Sequence, residues 1–285
     1  KGKGFKVQGS DISNNKNIWK EWWQNPDSKH FYFQGKDNIP FHTIILPAIL
    51  MGSGEYNLPY DVVANEYLNF SGKQFSKSEN WAVWVSDFLK EYDSESLRYY
   101  LSSIMPESSD SDFTWDSFFD SNNNELVATF GNLVNRIQSL IKSNFNNVVP
   151  QNKNLDEIDN NMITDIKKSF ESTGNFLEKR QFRNGLKEIM NLAKLGNRYI
   201  DQKEPWSTVK TNSQLASNTL WVGANLISNL GVLIAPYLPK TSVKISGMFN
   251  IKDNAPEWKY REVKAGILIE NIEPLFKKIE KENKS

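Results

Sequence analysis

His30-Phe-Tyr-Phe-Gln-Gly-Lys-Asp-Asn-Ile-Pro-Phe-His42 decides how the first third of this chain is read. His30 to Gln34 is a short aromatic run of the kind that fits a pleated strand, and the turn formers Gly35-Lys36-Asp37-Asn38 halt it. From about Phe41 to Gly52, Ile44, Ile45, Ala48 and Ile49 predict an apolar helix, with Pro47 kinking it or sitting near its first turn. Beyond the Gly- and Pro-bearing stretch Gly52 to Pro59, Val62 to Phe70 predicts a second strand. Ser71-Gly72 then predicts a hairpin turn into Lys73 to Ser76. Strand, helix, strand in this order is the βαβ unit of a parallel sheet, whose ligands sit at the carboxyl ends of strands.

From Trp81 onward the period becomes helical. Trp81, Val85, Phe88, Leu89 and Tyr92 fall on one face, and Asp93-Ser94 caps a second short helix carrying Leu97, Tyr100, Leu101 and Ile104. Pro106 to Asp112 reads as an acidic, Ser-rich link. After Trp115 the pattern is that of a helix bundle: Leu126, Phe130, Leu133, Ile137 and Ile141 recur at spacings of four and three, as do Phe182, Leu186, Ile189, Ala193 and Gly196. A helix from about Leu215 to Leu238 is apolar nearly all round, and its small residues Gly223, Ala224 and Gly231 mark it as the bundle's closely packed centre. Pro236 and Pro239 stop it.

At roughly 150 residues per domain, 285 residues make about two domains, long enough to bury a full core without covalent staples. The 34 basic and 34 acidic side chains cancel, which disfavours sequence-blind phosphate binding by a uniformly basic surface but leaves selective reading of nucleic acid open. With no cysteine and two histidines, His30 and His42, there is no thiol nucleophile and no ligand set for a structural zinc. No apolar run approaches the ~18 residues of a membrane span, and Lys1-Gly-Lys-Gly-Phe5 is not followed by the apolar core of a secretion signal. A cytoplasmic, soluble protein is the expectation.

Three constellations could carry chemistry. Gly35-Lys36-Asp37 stands where a strand gives way to a helix, so free N–H groups could meet an anion and Asp37 could accept from ribose hydroxyls; an ordinary surface turn has the same composition. Gly72-Lys-Gln-Phe-Ser-Lys-Ser78 is a hydroxyl- and lysine-bearing loop in which Lys77, between Ser76 and Ser78, suits charge developing on departing phosphates, or is an exposed polar hairpin. Asn132 and Arg136, four apart and turned away from the apolar stripe, could read the edges of unpaired bases, or form a solvated face. Trp206, after Glu204-Pro205, could stack on a base or be buried in the bundle. Lys179, Arg183 and Lys187 make a four-spaced basic stripe diluted by Glu178 and Glu188.

A family resemblance joins these pieces. In order along the chain, Phe33-Gln-Gly-Lys-Asp-Asn-Ile-Pro-Phe-His-Thr43 with Pro47-Ala48 is similar to methionyl-tRNA synthetases of the archaeal and eukaryotic style. So are Phe75-Ser-Lys-Ser78 with Asn80-Trp-Ala-Val-Trp84, Leu97-Arg-Tyr-Tyr-Leu101, Met105-Pro-Glu107 with Asp110-Ser-Asp-Phe113, and Pro274-Leu-Phe-Lys-Lys-Ile-Glu280. The resemblance implies a mixed fold: the end of a Rossmann-like α/β catalytic core over residues 1–80, a stem-contact region over 81–117, and an α-helical anticodon-binding bundle over 118–285. It implies an ATP-dependent ligase that forms methionyl-adenylate and charges tRNA-Met. Gly35, Lys36 and Asp37, with Ser76, Lys77 and Ser78, match the ATP and adenylate site, Lys77 as the catalytic lysine; Phe41 and His42 match the methionine pocket. Asn132, Arg136 and Trp206 match the readers of the CAU anticodon. At the first lysine of the lysine loop this sequence has Gln74, with Lys73 one place earlier.

Neither His30 nor His42 begins the His-x-Gly-His motif that class I enzymes carry after their first strand. The resemblance therefore places this chain as the carboxy-terminal half of such an enzyme, with ATP and Mg2+ as substrate, zinc held only in the first half, no metal in this chain, and a monomeric state. A non-catalytic tRNA-binding module or a split-synthetase subunit is the alternative. Synthetases for leucine, isoleucine or valine share the fold, but the Gly35–His42 stretch and the Asn132, Arg136 and Trp206 set point to methionine.

Overall fold

A computed structural model describes residues 17–252, 255–270 and 273–281; the Lys1–Phe5 start, read above for a secretion signal, lies outside them. The chain divides into two compact units, 1–67 with 106–110 and 68–105 with 111–285.

In the first unit α1 (Ile18–Trp23) precedes β1 (His30–Gly35), a 3-10 turn over Lys36–Asn38, π-type turns over Phe41–Ile45, α2 (Leu46–Ser53) and β2 (Pro59–Asn65). β1 and β2 pair in parallel, Phe33 opposite Val63 and Gly35 opposite Asn65, so the βαβ reading holds. The helix expected from Phe41 opens with wider π turns that run directly into α2, and Pro47 is the second residue of α2, inside this continuous helical stretch. Parallel sheets are normally covered on both faces. Here Phe33, Phe41, Ile44, Ile49 and Met51 remain exposed, and both polar atoms of the Gln34 amide are buried without a partner among the described residues.

The strand expected from Val62 to Phe70 is two strands. β2 ends at Asn65, and β3 (Leu68–Phe70) belongs to a separate sheet of the second unit. The break falls at Glu66 and Tyr67, whose side chains turn to Lys36 and Asp37. β3 pairs antiparallel with β4 (Lys73–Gln74) through a tight turn in which Ser71 and Gly72 have φ of 48° and 79°, the left-handed pair that matches hairpin twist. The helix expected from Trp81 starts later, as α3 (Val85–Glu91), because Asn80 is left-handed (φ 52°) and Trp81 bridges back to Ser76 and donates its indole N–H to the Phe70 carbonyl at 3.0 Å. Of that expected face Phe88 is buried, while Val85 and Leu89 are exposed. α4 (Ser94–Ser103) is capped by Asp93, whose side chain accepts from Glu95 N. The end of the acidic link is β5 (Ser111–Phe113), parallel to β3.

The bundle comprises α5 (Trp115–Asp120), a π-wound segment over Ser121–Gly131 continuing as α6 (Asn132–Phe145), then α7 (Glu157–Glu178), α8 (Phe182–Lys203), α9 (Pro205–Thr211), α10 (Ser213–Ile234) and α11 (Pro239–Met248). Every residue of α10 from Ala216 to Ile234 is buried. Close approach explains its glycines: a Cβ on Gly231 would stand 2.6 Å from the Ile245 side chain, and one on Gly223 would stand 3.1 Å from Ile137. Its polar residues are satisfied. Asn225 accepts from Val263 N at 2.8 Å, and Asn229 accepts from Arg261 N and donates to Arg261 O, fastening an extended C-terminal segment to the core. On the neighbouring elements, the buried Glu95 carboxylate accepts from Lys240 N and Thr241 N, two of the donors left free at the start of α11. No helix among the described residues is long and apolar enough to cross a membrane.

Candidate nucleotide and RNA sites

In the first unit Gly35 ends β1 with extended backbone, so Lys36 and Asp37 project from the carboxyl end of a parallel strand. The Lys36 ammonium pairs with Glu66, lies 3.6 Å from Asp110 and sits over the Tyr67 ring at 4.3 Å. The Glu66 hydrogen bond holds its pKa above the ordinary lysine range, against the smaller opposing effect of desolvation. Tyr67 donates its hydroxyl to Asp37 at 2.5 Å, and this bond raises the phenol pKa. Lys36 and Asp37 are thus members of a charged ring with Glu66, Tyr67 and Asp110. Nothing in the local sequence pattern marks the last three, which lie about 30 or more residues away. The His42 ring lies tilted against Tyr32, 5.4 Å between centroids, and bonds the Asn38 carbonyl at 3.1 Å, while Phe41 is exposed.

In the second unit Ser76 to Trp81 is a small hairpin. Reciprocal backbone bonds of 2.9 Å join Ser76 and Trp81, and Asn80 N closes the turn on Lys77 O. The Ser76 hydroxyl contacts that of Ser78 at 3.2 Å and accepts from Glu79 N. Lys77 therefore stands exposed at the tip of a tied loop, with no ion-pair partner among the described residues. Lys73 lies over the Trp81 ring at 5.5 Å.

The bundle brings the third set together. Glu204 takes the left-handed conformation (φ 43°, ψ 56°), breaking α8 from α9 at a corner where Pro205 and Trp206 begin the new helix. Trp206 is 42% exposed, too open for a core residue of this size. The Arg136 guanidinium of α6 lies 5.5 Å from the Trp206 ring centroid and donates to Asp201 at 2.6 Å. Asn132, one turn earlier on α6, is exposed. An aromatic plate, a planar fork of donors and an amide thus share one corner, the side chains suited to stacking on and hydrogen-bonding an unpaired base. Asp201, which no local pattern singles out, fixes Arg136 from 65 residues away. Among the described residues no three His, Cys, Asp or Glu side chains gather as a group that could hold a metal ion.

The family profile described as tRNA synthetases class I (M) matches residues 5–138, and the anticodon binding domain of methionyl tRNA ligase matches 149–285. The methionine–tRNA ligase of Pyrococcus horikoshii is 42% identical over 274 residues, covering 92% of this chain and 38% of that relative. That of Thermomicrobium roseum is 45% identical over 237 residues, covering 83% and 41%. This chain thus spans about two fifths of their length. A Mycobacterium tuberculosis methionyl-tRNA synthetase bound by methionyl-adenylate superposes with a TM-score of 0.83 at 21% identity, over 94% of this chain and 53% of that one.

Proposed function

This chain belongs to the class I methionyl-tRNA synthetase family, and we propose that it supplies the anticodon-reading bundle and the lysine-loop part of the ATP site of a methionine–tRNA ligase. The observation that carries the reading is the Arg136–Asp201–Trp206 corner with Asn132 beside it. Trp206 offers its face to the first base of a CAU anticodon, and Asn132 and Arg136 offer amide and guanidinium to base edges. Pre-setting Arg136 through Asp201 lowers the ordering cost of binding.

The other roles follow the same reading. Residues 1–80 belong to the catalytic core, 81–117 to a stem-contact region and 118–285 to the bundle. Lys77, on the tied Ser76–Ser78 loop, stabilises the pyrophosphate that departs when the methionine carboxylate attacks the α-phosphate of ATP, with Mg2+ entering as part of that substrate. Gly35 N–H and Asp37 bound the nucleotide, and Phe41 and His42 bound the methionine side chain. Lys36 acts through its ring with Glu66 and Asp110, holding Asp37 and Tyr67 in place. The exposed apolar side chains of Phe33, Phe41, Ile44, Ile49 and Met51 on β1 and the helix between β1 and β2 are the surface that the rest of a class I core would cover.

Substituting Arg136→Ala tests the recognition half. The variant is expected to lose about 1–3 kcal/mol of the preference for CAU over altered anticodons, the scale of one good bidentate contact to a base. Titration of labelled tRNA transcripts at fixed salt measures this. Equal preference in wild type and variant would remove Arg136 from the reading site.

A further inference from the structure

The bundle redraws the basic stripe that the sequence shows. Lys179 closes α7 and is not part of α8. Glu188 does not dilute the stripe, because it turns to α7 and accepts from the Ser172 hydroxyl at 2.9 Å. On α8 the stripe instead runs further: Lys187, Lys194 and Arg198 follow Arg183 at spacings of four, seven and four, which keeps them on one face of a helix. All four are exposed. Arg183 has contacts within the fold, whereas Lys187, Lys194 and Arg198 have no ion-pair partner among the described residues. The exposed Asn191 and Asp201 share this face, the half-buried Asn197 turns inward to the carbonyls of Thr129 and Ala193, and Asp165 of α7 lines the same cleft as Arg198.

Three residues beyond Arg198 the same face carries Asp201, the residue that holds Arg136 beside Trp206. A column of cations about 22 Å long, at 1.5 Å per residue, thus leads along one rigid helix to the base-reading corner. In a protein whose formal charge is zero, this is a local concentration of positive charge and not a general property.

We propose that the Lys187, Lys194 and Arg198 face of α8, with Arg183, is the track for the sugar–phosphate backbone of the RNA strand whose bases are read at Arg136 and Trp206. This rests on the anticodon reading above and adds to it a division of labour: the corner selects bases, and the α8 face binds phosphates of any sequence.

The test is a salt series of tRNA titrations with the chain as it stands. The triple variant Lys187→Gln, Lys194→Gln, Arg198→Gln is expected to bind CAU and altered-anticodon transcripts more weakly by the same factor. Its log–log salt dependence should be shallower by about 2–3, since each phosphate that is no longer neutralised removes about 0.7–0.9 from the slope. The charge-keeping variant Lys187→Arg, Lys194→Arg, Arg198→Lys should retain the wild-type slope. A triple-Gln slope equal to wild type, with anticodon preference present, overturns the track and leaves the anticodon reading standing. A shallower slope with no anticodon preference in the wild type overturns the anticodon reading and leaves a sequence-blind track. Loss of binding to a polyglutamate peptide in the triple-Gln variant, with tRNA binding kept, would assign the face to an acidic protein and overturn the proposal.

Discussion

Replacing Lys203 by Met lowers the stability of the bundle by about 3–5 kcal/mol, the cost of leaving a buried charge without its partner. The Lys203 side chain is 7% exposed, and its ammonium lies 2.5 Å from Asp156 and 2.9 Å from Asp159, which is fully buried. Asp159 also accepts the Tyr199 hydroxyl at 2.7 Å, and burial together with that carboxylate drives the phenol pKa far up. Asp156 and Asp159 form the capping box of α7, so one cation at the end of α8 pairs with two carboxylates at the start of its neighbour.

Desolvation is the largest single influence on Lys203 and pulls its pKa down, yet its bonds to Asp156 and Asp159 together outweigh it and the pKa is raised. Desolvation pushes Asp156 up, and the Lys203 hydrogen bond and neighbouring donors bring it below the ordinary carboxylate range. A raised lysine stabilises below its unfolded pKa of ~10.4 and a depressed aspartate stabilises above its unfolded ~3.9, so the pair contributes fully between about pH 5 and 9. Urea denaturation of wild type and Lys203→Met at pH 7 measures the difference. The gap should shrink as pH falls through the range in which the depressed Asp156 carboxylate is protonated, because the ion pair that Lys203 makes with it is then lost in the wild type as well. A gap below ~1 kcal/mol at pH 7 would mean that this cluster is solvated like a surface pair.

Under the proposed reading, Lys77→Ala lowers methionine-dependent ATP–pyrophosphate exchange about 10²–10³-fold in a ligase assembled from this chain and the rest of its class I core. That is the scale of losing one preorganised stabiliser of developing charge. The Ser76–Trp81 bonds hold the loop whether or not Lys77 is present, so the loss should fall on the chemical step while tRNA binding by the bundle is unchanged. A variant with wild-type exchange would show that the lysine loop of this chain does not act on the pyrophosphate.

Much of this architecture is legible in the sequence because it rests on local chemistry. The aromatic run at His30, the Ser71-Gly72 turn, the Asp93 cap and the apolar repeats of α6, α8 and α10 all declare themselves within a few residues. The elements that depart from expectation depend on partners far away. Glu66 and Tyr67 interrupt what looks like one long strand because Lys36 and Asp37 recruit them. Trp81 leaves its expected helix because its indole finds the Phe70 carbonyl. The candidate sites divide in the same way. Asn132 and Arg136 can be placed on an exposed face by helical phase alone, whereas the Asp201 clamp and the turning aside of Glu188 require the packed bundle.

Whether the Trp206 corner reads a CAU anticodon is decided by titrating the chain and its Trp206→Ala variant with transcripts bearing CAU or altered anticodons at one fixed salt concentration. Wild type is expected to prefer CAU, and Trp206→Ala to lose about 1–3 kcal/mol, roughly 5- to 150-fold, on the CAU transcript, the value of one stacked base. Equal binding of every anticodon by wild type, with Trp206→Ala indistinguishable from it, would contradict the assignment of this corner to the anticodon.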